Sequence, residues 1–145
     1  MAIDLSQNSE ELNSIGNSKL TEEEASKLAD ELSNMLSDGE IPGADNESVK
    51  KMVAGLGDQR GALRLTFAKS LGAVGDAALP ILCNALRTHE NVVVRRASAK
   101  TLNLIGSKAA LPFLLEAFLE DDDPVVLGSS AGAMATIGPD ALESL

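Results

Sequence analysis

Few side chains in this sequence could do chemistry of their own. Cys83 is the single thiol, His89 is the single imidazole and is followed by Glu90, and Glu120-Asp121-Asp122-Asp123 is an unbroken run of carboxylates. A reactive thiolate needs a base or cation beside the sulfur. Neither a second Cys nor a nearby His completes such a site, so Cys83 reads as a packing thiol. His89 reads as a solvent-facing loop residue, because one imidazole cannot build a metal cluster. The carboxylate run lacks the alternating spacing and turn glycine of a calcium loop. It reads instead as a polar connection in which Asp123 caps a helix beginning at Pro124. Nothing resembles a phosphate loop, a nucleophile elbow or a zinc spacing, so no catalytic, cofactor-binding or metal residue is expected.

The remaining chemistry is cationic. Arg60, Arg64, Lys69, Arg95, Arg96 and Lys100 cluster in the middle of the chain. Arg64 and Arg95 are expected to pair with acidic residues such as Asp58 and Asp76 in a ladder between layers. That leaves Arg60, Lys69, Arg96 and Lys100 as the candidate partner-binding residues. They suit an acidic protein surface, a pigment bearing propionates, or the chain's own acidic leader.

The elements that position these residues follow from composition. The chain has 145 residues and a formal net charge of −10, which suits one domain. Residues 1–48 hold twelve carboxylates against Lys19 and Lys27, so the whole excess charge sits in the leader and the rest of the chain is neutral. With no Trp or Tyr to stack on bases and an acidic balance, nucleic acid is excluded as a partner. Continuous apolar runs such as 77–82 and 109–115 fall short of the ~20 residues of a membrane span, so none is expected. Met1 to Ser6 do not read as a secretory signal, and a lone Cys points to a reducing compartment.

Residues 1–19 are expected to be a flexible acidic tail, rich in Ser, Asn and Glu. Residues 20–47 are expected to hold an amphipathic helix and a loop. Thr21 and Glu24 form a capping box, Ala25, Leu28, Leu32, Met35 and Leu36 make one stripe, and Asp38-Gly39 stops it. Residues 48–145 repeat themselves. Val74-Gly75, Ile105-Gly106 and Ile137-Gly138 are spaced by 31 and then 32 residues. Four residues before each glycine stands Leu71, Leu102 or Met134, and seven before it Ala68, Ala99 or Ala131, which share a helical face. Past the glycine, Ala78-Leu79-Pro80-Ile81-Leu82 returns as Ala110-Leu111-Pro112-Phe113-Leu114.

A period of this length means stacked helix pairs. First helices are predicted over 61–74, 92–105 and 125–137, second helices over 77–87 and 109–119, and an earlier second helix over 48–56. Gly128 and Gly132 are expected to let helix axes approach closely. The architecture is all-α, a right-handed α-solenoid with an acidic N-terminal helix. Ala141, Leu142 and Leu145 begin a further second helix without a polar cap. The expectation is continuation into a longer protein, or self-association through that end.

These residues resemble the HEAT-like repeats of the phycobilisome-lyase type. The likeness is carried by Val94-Arg95-Arg96-Ala97, Ala99, Leu102, Ile105-Gly106 and Ala110-Leu111-Pro112, and covers about residues 58–145. The third copy keeps Asp123-Pro124-Val125 but has Leu127 where Arg64 and Arg95 stand in the others. Deoxyhypusine hydroxylase, a repeat protein of this type, holds iron through several His-Glu pairs. Here the pair occurs once and the other sites hold Arg96-Ala97 and Gly128-Ser129, so that enzyme is excluded. The resemblance implies a protein-protein interaction scaffold that binds a phycobiliprotein or another antenna component, without a cofactor of its own. The alternatives are a bilin lyase or lyase subunit holding a linear tetrapyrrole (bilin), and a general solenoid scaffold. It implies a cytoplasmic location, or the stroma in a plastid-bearing organism.

Overall fold

The computed structural model describes residues 19–138. The expected tail and the final repeat residues Ala141, Leu142 and Leu145 lie outside the described residues. Among the described residues the chain forms α1 (Glu22–Ser37), α2 (Asn46–Gly55), α3 (Gly61–Val74), α4 (Leu79–Thr88), α5 (Val92–Ile105), α6 (Leu111–Glu120) and α7 (Pro124–Ile137), with no strand. Short 3-10 turns, Gly75–Ala78 and Lys108–Ala110, lead into α4 and α6.

Local signals set these bounds. The Thr21 hydroxyl accepts from the Glu24 N–H at 3.1 Å while the Glu24 carboxylate accepts from the Thr21 N–H at 2.9 Å, the reciprocal box that starts α1. Glu22, Glu23 and Glu24 also sit in its first turn, where the helix dipole favours negative charge. Asp45, Asn91 and Asp123 cap α2, α5 and α7 by accepting backbone N–H groups. Gly75 and Gly106 end α3 and α5 at φ of 76° and 72°, a conformation that a side chain disfavours. Pro80 and Pro112 lie in the first turns of α4 and α6, where no intrahelical N–H is lost.

Two layers result. The odd-numbered helices form one, with α1 against α3, α3 against α5 and α5 against α7; the even-numbered helices form the other. Each even helix also packs on the odd helix that follows it across a polar loop, α2 on α3, α4 on α5 and α6 on α7, as extensively as neighbouring odd helices pack on one another. Phe67, Leu71, Leu82, Leu86, Leu102 and Leu114 fill the space between the layers. This is the all-α helical stack expected from the repeat, with α1 occupying the place of a first helix ahead of α2.

Two expectations need correction. Gly128 and Gly132 face open space, so they are not where helices approach closely. The close approach is at Gly55, where any Cβ would run into the ring of the fully buried Phe67. His89 is only 8% exposed rather than solvent-facing. The stretch Gly61–Thr88 is long and apolar enough to cross a bilayer by length and composition alone, a test that a buried core helix also passes. It is divided at Gly75 into α3 and α4, which contribute Phe67, Leu71, Leu82 and Leu86 to the core.

Candidate functional site

The loops before α3, α5 and α7 share one construction, visible only when the repeat is aligned there. Asp58, His89 and Asp121 are equivalent, and each side chain accepts the backbone N–H two residues on. The distances are 2.8 Å from Arg60, 3.0 Å from Asn91 and 2.9 Å from Asp123. This Asx-type brace fixes the entry into each odd helix. Burial of His89 follows from this shared position: its Nδ1 takes the place of a carboxylate oxygen.

Arginines lock the braces. Arg64 and Arg95 each donate to the carbonyl six residues back, Asp58 at 2.7 Å and His89 at 3.0 Å. Arg95 also meets the Asp121 carboxylate at 3.0 Å, tying one repeat to the next. The expected ladder therefore exists, but its partners are the Asp58 and His89 carbonyls and the Asp121 carboxylate, and Asp76 takes no part. Arg96 forms a two-point pair with Asp123, Nε to Oδ2 at 2.9 Å and Nη2 to Oδ1 at 2.8 Å. Together with the Val126 N–H this holds the Asp123 carboxyl well below the usual carboxylate range. Asp58 is lowered for the same reason by Arg60, whose Nε lies 2.9 Å from it.

Arg60 reaches further. Its Nη1 donates to the Ser26 hydroxyl at 2.7 Å and its Nη2 to the Glu22 carbonyl at 3.1 Å, so it clamps α1 onto the repeats. Of the four candidate partner-binding residues, Arg60 thus lies at the loop edge against the leader helix. Lys69 is exposed on α3 and does not line the groove in which Arg96 and Lys100 meet. Arg96 and Lys100 alone are brought together.

They meet in a groove of about 810 Å3 that crosses α3, α5 and α7. Its volume falls in the range of small-molecule sites, roughly 300–1,000 Å3. Leu65, Leu104 and Val125 expose apolar surface along it, at 53%, 58% and 40%. Arg64, Arg96 and Lys100 supply positive charge, and no carboxylate lines it. An apolar bed with cations and no anions can hold a flat hydrophobic molecule that carries carboxylates. The missed residues were Leu65, Leu104 and Asn103. A signal existed for two of them: Leu104 and Asn103 stand where the other repeats have Ala73 and Gly72, or Thr136 and Ala135.

Elsewhere, burial pushes the Cys83 thiol up to about 12, which leaves it unreactive in the fold. Asp123 caps α7 as expected. No group of three or more metal-ligating side chains occurs among the described residues.

Comparison with known proteins adds to this geometry. A family model described as HEAT repeats matches residues 49–135, and a second, the YgzA protein family, matches residues 22–65. The chain is 68% identical over 91 residues to "Bilin biosynthesis protein MpeU" of Synechococcus sp. (strain WH8020), covering 63% of this chain and 31% of that protein. It is 33% identical over 101 residues to "Uncharacterized phycocyanin operon protein Z" of Pseudanabaena tenuis (strain PCC 7409), covering 65% of this chain and 50% of that protein. The chain thus spans a third to a half of these relatives' lengths. No solved structure matches.

Proposed function

The chain belongs to the HEAT-repeat family, and from that premise we propose that it handles a linear tetrapyrrole on the way to a phycobiliprotein. The pigment lies in the α3–α5–α7 groove and the helical stack presents it to the acceptor protein, whose thiol adds across a carbon–carbon double bond of a pigment side chain, the sulfur bonding one carbon and the thiol proton passing to the pigment. This is the bilin-lyase reading, with this chain as the pigment-holding part. The observation that carries it is the pairing of an apolar bed, Leu65, Leu104 and Val125, with Arg96 and Lys100 and no lining carboxylate. A bilin has that chemistry, an extended conjugated body with two propionates. The bilin biosynthesis protein at 68% identity supports the choice of pigment over other amphiphilic carboxylates.

Arg96 keeps its pair with Asp123 and offers its remaining surface to the groove, so Lys100 makes the main charge contact. The apolar side chains exclude water from the pigment and hold it extended. Transfer itself needs no nucleophile here, in keeping with the buried, proton-retaining Cys83. The scaffold reading keeps a specific support: repeat stacks supply broad binding surfaces, and the acceptor must dock somewhere on this one.

Mixing the purified chain with phycocyanobilin and separating by size tests the proposal. Pigment that co-elutes with protein, its absorption shifted from that of free bilin, is the expected result. Pigment eluting entirely free at saturating protein would overturn it and leave a protein-binding scaffold.

A further inference from the structure

The groove holds one polar group that the fold does not use. Among the described residues, three buried side-chain atoms lack a hydrogen-bond partner: Ser98 Oγ, Ser130 Oγ and Asn103 Oδ1. Ser98 and Ser130 are both fully buried and occupy the repeat position of Phe67, between the layers, where a bound molecule does not reach. Asn103 is different. It is half-buried and lines the groove.

Nothing in the repeat calls for an amide there. The equivalent residues are Gly72 and Ala135, so helix packing at this position needs only a small side chain. A longer polar side chain with a buried, unsatisfied oxygen lowers stability, because that oxygen has lost water and gained nothing. In the free chain that oxygen is shut off from solvent, so an N–H donor in the groove meets it only once the amide turns outward. Rotation about the last torsion of an Asn side chain is soft, so the oxygen can turn to meet a donor. Lys100 lies three residues earlier on α5, which puts both side chains on one face about 5–6 Å apart at Cβ. It forms no ion pair among the described residues and is exposed at the groove rim.

We propose that Asn103 is a specificity-determining residue of this groove: its Oδ1 accepts a hydrogen bond from a ring N–H of a bound linear tetrapyrrole while Lys100 binds one of its propionates. The inference rests on the tetrapyrrole reading above. It goes further in choosing among occupants. An amphiphilic carboxylate without N–H groups, such as a fatty acid, satisfies Lys100 but leaves the Asn103 oxygen orphaned. A linear tetrapyrrole satisfies both, and its inner nitrogens lie at a distance from the propionates that suits two side chains one helical turn apart.

The test titrates phycocyanobilin and, separately, oleate into the whole chain and into Asn103→Ala and Asn103→Gln variants. Ala stands at the equivalent position of the third repeat, so that variant keeps the fold; a thermal melt at or above that of the parent protein checks it. Gln keeps a neutral amide oxygen and adds no charge beside Lys100. The expected result is bilin binding weakened about five- to tenfold by Asn103→Ala, with a smaller absorption shift, and retained in Asn103→Gln, while oleate binds all three alike. Equal bilin affinity in the parent and Asn103→Ala proteins would overturn the role of Asn103 and leave the tetrapyrrole reading standing. Loss in both variants would also overturn it, since an acceptor would then not be what matters. No bilin binding by the parent protein would overturn both.

Discussion

At the start of α5, Arg95 and Arg96 are committed to Asp121 and Asp123 at 3.0 and 2.8 Å. One to two turns further along the same helix, Lys100 and Asn103 face the groove with no ion pair and with an amide oxygen that has no partner. The loop edge and the groove face are therefore built from similar residues used in opposite ways. At the edge the arginines answer carbonyls of their own repeat and carboxylates of the next, and the brace recurs at Asp58, His89 and Asp121. In the groove Leu104 and Asn103 depart from the repeat while Lys100 keeps the cation of Lys69, and these are the side chains free to meet a ligand. A repeat protein thus separates residues that make the stack from residues that use it.

Substitutions should sharpen this contrast. The largest effect is expected between the layers: Phe67→Ala should lower unfolding free energy by about 3–5 kcal/mol in a denaturant titration. Gly55→Ala, which drives a methyl group into the Phe67 ring, should cost about 1–3 kcal/mol alone and much less in a Phe67→Ala background, where the space is open. At the loop edge, Asn91→Ala removes the cap on α5 and should cost about 1 kcal/mol by the same measurement. In the groove, Lys100→Ala should leave the melting temperature within about 1 °C while weakening bilin binding. An equal loss of stability at Lys100 and Asn91 would erase the distinction.

Acid should act on the edge. The Asp123 and Asp58 carboxyls lie below the ordinary value of 3.8 in the folded chain. A depressed carboxyl contributes stability that is complete above its unfolded value and is lost as pH falls toward its folded one. The melting temperature should therefore drop on acidification below about pH 4. In Asp123→Asn, which keeps an acceptor for the Val126 N–H but loses the charge, the drop should be shallower. The smallest effect concerns Cys83, which should resist a thiol reagent at pH 8 until the chain is unfolded.

Much of the architecture was legible in the sequence. The glycines at 75, 106 and 138 mark the ends of α3, α5 and α7, and the observed Gly61–Val74 and Val92–Ile105 coincide with the predicted spans. The third first helix starts at Pro124, one residue early, because Asp123 is the cap. Burial of His89 was missed because the repeat was aligned on helices and not on the loops, where His89 falls in register with Asp58 and Asp121. Arg60 and Arg96 are cations whose partners lie 34 and 27 residues away, contacts that only the stacked structure brings together. The groove was hidden for a related reason. Leu65 and Leu104 look like core residues in a periodic apolar pattern, and their exposure depends on how the odd helices are spaced.

The most direct test of the division between edge and groove is a phycocyanobilin titration of the whole chain beside its Leu65→Ser/Leu104→Ser variant. Both leucines are more than half exposed, so the fold does not rest on them, while a pigment seated in the groove buries them. The account predicts binding weakened at least about tenfold. Unchanged affinity in the double variant would contradict it, since the pigment would then lie somewhere other than the groove.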